Sequence, residues 1–161
     1  MTSRVSYSII RNMNIRNMNT QIKNREQAWE FGHRLAEKAE PGTVIALIGD
    51  LGTGKTMLTK AIAEGLGIRD EITSPTFTIL HEYTGGRLPL YHFDVYRLAS
   101  SDDMYDLGYE EYFYGKGVTV VEWADIIINL LPEDAIFVKI EYNNKGIEDE
   151  RVYSYNVDIS D

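Results

Sequence analysis

Along the chain, apolar positions first recur at helical spacing, then gather into short unbroken runs, then alternate. Ala28, Phe31, Leu35 and Ala39 fall on one helical face. Asn24 supplies an N-cap with Gln27 three residues on to complete a capping box, and Pro41-Gly42 stops the helix. Thr43–Ile48 is an unbroken apolar run, the pattern of a parallel strand buried on both faces. A second helix is predicted from Lys55 to Leu66, ending at Gly67 as its C′ residue. Thr76–Tyr83 and Leu88–Tyr96 read as strands joined at Gly85-Gly86, and Asp102–Tyr114 as short helical pieces broken near Gly108. Val118–Val121 is another buried strand. Ala135–Tyr142 and Arg151–Asp158 form an antiparallel pair around a polar turn. The order predicts an α/β three-layer fold: a mostly parallel central sheet with antiparallel edge strands.

Residues 1–20 stand apart from this order. They contain no acid and carry a tandem repeat, Ile10–Asn14 followed by Ile15–Asn19. They are read as a loose extension, with Met13 and Met18 as alternative starts, ahead of a single domain at 21–161. A transit peptide is the sharper alternative, ranked lower because the segment has three arginines and no clear amphipathic face. At 161 residues the chain is long enough to bury a real core. It has no cysteine, which excludes disulfides, thiolate nucleophiles and Cys-based zinc sites and fits a cytoplasmic interior. No apolar run approaches the ~20 residues of a membrane span. Net charge is −9, and it is uneven: residues 1–39 carry seven Lys/Arg against three Glu, and the acids concentrate in the remainder. An acidic body grips nucleic acid poorly, so any role in nucleic-acid metabolism is expected to run through a protein partner.

Between the first strand and second helix lies Gly49-Asp50-Leu51-Gly52-Thr53-Gly54-Lys55-Thr56, the full G-x-x-x-x-G-K-[ST] pattern. Glycines let main-chain N–H groups turn inward around phosphate oxygens, and the following helix directs its positive end at the same anion. The motif makes Gly49, Asp50, Gly52, Thr53, Gly54, Lys55, Thr56 and Met57 the expected binding segment for ATP with Mg²⁺. In it Lys55 is the phosphate cation and the Thr56 hydroxyl a metal ligand. An acid near that metal is expected at the end of an apolar strand. Glu122, ending Val118–Val121, is assigned to the metal shell with Thr56. Asp94, ending Leu90–Phe93, is assigned to the γ-phosphate or the attacking water. His92 shares a strand face with Asp94. A separate metal pair there lacks a third ligand, and a hydrogen-bonded structural histidine is the simpler reading.

The ordered boxes Gly49–Thr56, Ser74-Pro75-Thr76-Phe77-Thr78, His92-Phe93-Asp94-Val95-Tyr96-Arg97-Leu98 and Glu122-Trp123 resemble the bacterial TsaE (YjeE) family over roughly residues 21–145. That resemblance implies a small ATPase needed to make threonylcarbamoyladenosine at position 37 of tRNAs reading codons that start with A. It implies two partners, TsaB and TsaD, with the transferase site on TsaD. It assigns Mg²⁺ to Thr56 and Glu122, the phosphates to Lys55, and a catalytic or switch role to Asp94. Ser74–Thr78 would be a nucleotide-sensing loop, and Trp123 would lie beside the nucleotide. Two departures stand out. Met57 replaces a second Thr found in many members, and Ala28 replaces a Thr in the first helix.

Two other function classes fit a P-loop. A small-molecule or nucleotide kinase needs an acceptor pocket and usually a basic lid, yet between Asp94 and Glu122 the only basic residues are Arg97 and Lys116. A nucleotide-dependent binding module would leave the γ-phosphate intact, against which Asp94 and Glu122 argue for at least slow hydrolysis.

Overall fold

The computed structural model describes residues 18–143 and 150–160. Its elements are β1 (Met18–Ile22), α1 (Arg25–Lys38), β2 (Val44–Gly49), α2 (Lys55–Gly65), β3 (Leu80–Tyr83), β4 (Leu90–Asp94), α3 (Asp103–Asp106), α4 (Tyr109–Phe113), β5 (Val118–Glu122), a 3₁₀ turn (Ala124–Leu130), β6 (Ile136–Tyr142) and β7 (Arg151–Tyr155). The strands form one mixed sheet in the order β1-β7-β6-β2-β5-β4-β3. The central β6, β2, β5 and β4 run parallel; β7 and β1 close one edge antiparallel, and β3 closes the other. This is an α/β fold around a sheet that is parallel at its centre.

Side-chain alternation along β2 sorts the core into two layers. Ile45 and Leu47 face α1 and α2, joining Phe31, Leu35, Leu58 and Ile62. Val44, Ala46 and Ile48 face the other side, with Met104, Phe113, Ile127 and Phe137. Helices α1 and α2 cross closely because small residues meet at the contact. A Cβ on Gly32 would lie 2.5 Å from Ala61 Cβ, and one on Gly65 2.6 Å from Ala36 Cβ. Alanine favours an isolated helix over glycine by about 1 kcal/mol, yet here Gly32→Ala is expected to destabilise. Overpacking of ~1–3 kcal/mol would lower the thermal midpoint by roughly 3–10 °C. Scanning calorimetry checks this, and an unchanged or raised midpoint would contradict the packing.

Local signals place most boundaries. Gln27 N–H donates to Asn24 Oδ1 at 2.9 Å, while Gln27 Oε1 accepts from Lys23 N–H at 2.8 Å, one residue before the usual capping-box donor. Helix α2 ends in a Schellman pair, with Gly67 N–H on Glu64 O, Ile68 N–H on Ala63 O, and Gly67 at φ 83°. Gly108 at φ 66° separates α3 from α4, as its position predicts.

Three expectations are corrected. Met18–Thr20 belong to the fold rather than to a loose extension: β1 pairs with β7 from Met18↔Tyr155 to Ile22↔Arg151, and Ile22 enters the core. Its side-chain alternation is short and hidden within the Asn/Arg repeat. The remainder of the extension, residues 1–17, lies outside the described residues. The strand expected at Thr76–Tyr83 begins only at Leu80, because Thr78 and Ile79 N–H both return to Pro75 O and close a turn. The strand expected at Arg151–Asp158 ends at Tyr155, where the Asn156 side chain accepts from Phe137 N–H and donates to Ala135 O. No helix among the described residues is long and apolar enough to cross a membrane.

Candidate functional site

Parallel strands end together at one edge of the sheet, and the loops leaving that edge form the crevice used for ligands in α/β folds. Here Gly49 ends β2, Asp94 ends β4 and Glu122 ends β5; Asp94 stands directly across from Glu122 in register. On β4 and β5, residues two apart share the face covered by α2, so His92, Asp94, Val120 and Glu122 all project there. The first turn of α2 brings Lys55 and Thr56 to the same place.

The loop between β2 and α2 has a shape that larger residues would destroy. Gly52 and Gly54 have φ of 80° and 107°. A Cβ on Gly49 would stand 2.7 Å from Thr53 Oγ1 and 2.8 Å from Ile140 O. Thr53 closes the turn, donating from both N–H (3.2 Å) and Oγ1 (2.8 Å) to Asp50 O. Leu58 N–H returns to Gly54 O at 3.0 Å, which leaves the main-chain N–H groups before it as the free positive end of α2. Met57 packs its side chain against the α1/α2 core, so only its main chain could serve an anion.

Lys55 is 5% exposed; its Nζ donates to Gly49 O (2.5 Å) and Asp50 O (2.9 Å) and lies 4.0 Å from the centre of the Trp123 ring. Burial lowers its pKa, opposed by the negative charges of Glu122, Asp94, Asp125 and Asp50. Thr56 Oγ1 donates to Glu122 Oε1 at 2.9 Å. Glu122 Oε2 meets His92 Nε2, and both side chains are buried. Asp94 accepts from Tyr96 N–H at 3.1 Å and from Ser74 Oγ at 3.5 Å, so it ties the Ser74–Thr78 segment to the end of β4. Lys55, Thr56, Asp94, Glu122 and Trp123 therefore meet, as expected. Arg97 does not join them; its guanidinium lies 4.4 Å over the exposed Phe77 ring. His92 turns to Glu122 rather than forming a metal pair with Asp94.

Sequence reasoning missed three contributors. Asp125 acts electrostatically on Lys55, and burial raises its own pKa. Arg151 donates from Nε to Thr53 O at 3.1 Å and lies 4.3 Å over the Tyr142 ring, while Tyr142 OH donates to Leu51 O at 3.4 Å. The ends of β6 and β7 thus brace the glycine loop from outside. No local motif announces these residues, since Arg151 lies 98 positions from Thr53.

The donors suit Mg²⁺ with a polyphosphate. Thr56 and Glu122 offer hard oxygens, and Mg²⁺ characteristically takes only one or two protein ligands beside phosphates and water. Among the described residues no group of three His, Asp or Glu could hold a metal unaided. Four acids act on the single ammonium of Lys55. Adding a triphosphate to that surplus of negative charge calls for a divalent cation to offset it.

The family model described as threonylcarbamoyl adenosine biosynthesis protein TsaE matches residues 22–152. This chain belongs to the TsaE family. The Bacillus subtilis tRNA threonylcarbamoyladenosine biosynthesis protein TsaE is 47% identical over 132 residues, 82% of this chain and 80% of the relative. The Treponema pallidum protein of the same name is 48% identical over 110 residues, 68% of this chain and 81% of the relative. The crystal structure of Bacillus subtilis YdiB superposes with a TM-score of 0.72 at 41% identity, covering 88% of this chain and 85% of that one. The TsaE match spans every site element described above, from Gly49 to Arg151.

Proposed function

We propose that this chain is the Mg²⁺-dependent ATP-binding and hydrolysing subunit of a cytoplasmic machinery that places threonylcarbamoyl on adenosine 37 of tRNAs reading codons that start with A. In this reading it acts with TsaB and TsaD on a P-loop NTPase-like frame. One observation carries the proposal: a buried lysine and a threonine of the α2 first turn converge with two strand-end carboxylates on a loop whose glycines keep its main chain open. The names of the relatives supply the pathway.

In this mechanism Lys55 leaves the Gly49 and Asp50 carbonyls for the β- and γ-phosphates, and N–H groups of the loop and α2 complete the anion cradle. Thr56 and Glu122 would hold Mg²⁺, which would supply the charge that offsets the phosphates. Asp94 orients the attacking water or accepts its proton, and its tie to Ser74 lets the Ser74–Thr78 segment sense the γ-phosphate. Trp123 lies beside the nucleotide.

Cationic assistance is sparse. Arg97 is engaged by Phe77, and P-loop NTPases without a positioned arginine gain about 10³-fold or more when one is supplied. The chain alone is therefore expected to hydrolyse ATP slowly and to be stimulated by TsaB with TsaD. With an acidic body, it should bind tRNA weakly unless they are present. Phosphate release with and without the two proteins, and tRNA binding by the isolated chain at moderate salt, test this. Transfer of phosphate to a hydroxylated metabolite or nucleoside, with stimulation by it, would establish a kinase instead.

A further inference from the structure

We propose that His92 is a positioning residue that holds the Glu122 carboxylate in its metal-binding orientation; this rests on the Mg²⁺ site proposed above. His92 is fully buried on β4, on the sheet face covered by α2. In register it pairs with Val120, so its side chain reaches diagonally along that face to Glu122 on β5. The two oxygens of Glu122 are divided between two donors: Oε1 takes the Thr56 hydroxyl at 2.9 Å and Oε2 takes His92 Nε2. A carboxylate only accepts, so Nε2 is the ring nitrogen that donates to Glu122. Nδ1, also buried, finds no hydrogen-bond partner among the described residues.

That orphaned nitrogen separates a positioning role from packing. A leucine or phenylalanine would fill comparable space between the strands without stranding a polar atom. The contact that histidine alone contributes is the one to Glu122. Without it Oε2 would be a buried oxygen lacking a donor, on a carboxylate that is 2% exposed. The Lys55 ammonium, already under the field of Glu122, offers an alternative donor. Collapse of Glu122 onto Lys55 would withdraw both groups, one from the metal and one from the phosphates. His92 prevents this by occupying Oε2, which leaves Oε1 facing Thr56 and the ligand. Metal ligands depend on such outer partners, whose loss typically lowers metal affinity by ~10–100-fold.

The test uses the full chain and a non-hydrolysable ATP analogue, titrated calorimetrically with and without Mg²⁺. For His92→Leu, the Mg²⁺ concentration needed to tighten analogue binding should rise by ~10–100-fold, with Mg²⁺-free affinity little changed. His92→Gln presents an N–H near the position of Nε2 and should restore most of the Mg²⁺ response. His92→Asn, whose amide reaches only about as far as Nδ1, should not. Gln and Asn are both polar and smaller than histidine, so this pair decides the question even if the Leu variant fails to fold. A wild-type Mg²⁺ requirement in folded His92→Leu overturns the proposal. So does an equal loss in the Gln and Asn variants that tracks their thermal midpoints. A wild-type chain that binds the analogue with no Mg²⁺ dependence would instead overturn the metal-nucleotide site itself.

Discussion

Lys55→Ala is expected to weaken ATP binding by at least ~100-fold, on two lost charge-assisted phosphate contacts at about 1.5–3 kcal/mol each. Without a ligand, the same ammonium is stored against two loop carbonyls and the Trp123 face. Burial already disfavours its charged form, so exchanging those weak dipolar partners for phosphate is strongly favourable. Thr56→Ala should behave differently. It removes the hydroxyl that donates to Glu122, so the loss should fall on Mg²⁺-dependent tightening, with Mg²⁺-free binding nearly retained and Thr56→Ser restoring the response. Calorimetric titration at two Mg²⁺ concentrations separates the two effects. Wild-type affinity in Lys55→Ala would remove the glycine loop from the nucleotide site.

Substitutions at Glu122 and Asp94 should reduce phosphate release by at least ~100-fold, the scale of a lost metal or proton-transfer group. The geometry determines which substitutions give a clean result. Glu122 is buried against His92 and Thr56, and Asp94 satisfies the part-buried Tyr96 N–H, so alanine at either position leaves these donors without their partner and destabilises by roughly 1–3 kcal/mol. Glu122→Gln and Asp94→Asn keep size and one acceptor oxygen while removing the charge, and the Thr56 and Ser74 hydroxyls can turn to accept from the new amide groups. They should retain native circular dichroism and thermal midpoints near wild type, yet lose turnover to the same extent as the alanine variants. Unchanged phosphate release in Glu122→Gln or Asp94→Asn would take that residue out of the chemistry. Both acids, marked in the sequence only as strand ends, are buried. Their carboxylates are part of the buried polar network as well as of the site.

Features whose physics is local are legible in the amino-acid order. The glycine spacing and Lys55-Thr56 specify a loop that only small residues and positive φ permit. The unbroken runs at Val44–Ile48 and Val118–Val121 specify strands covered on both faces. Asn24, Gly67 and Gly108 mark helix ends through capping and left-handed backbone. The acids Asp94 and Glu122 were legible because each closes an apolar strand, and parallel strands end at a common edge. Tertiary structure alone decided what depends on register and on distant partners. Whether Glu122 meets His92 or Lys55 is decided by the pairing of β4 with β5, which no residue spacing encodes. The bracing of Thr53 by Arg151 requires β7 to lie beside β6, with most of the fold between the two residues in sequence. The recruitment of Met18–Thr20 into β1 depends on the exposed edge of β7, because a short, half-polar strand becomes ordered only when a neighbour supplies its hydrogen bonds.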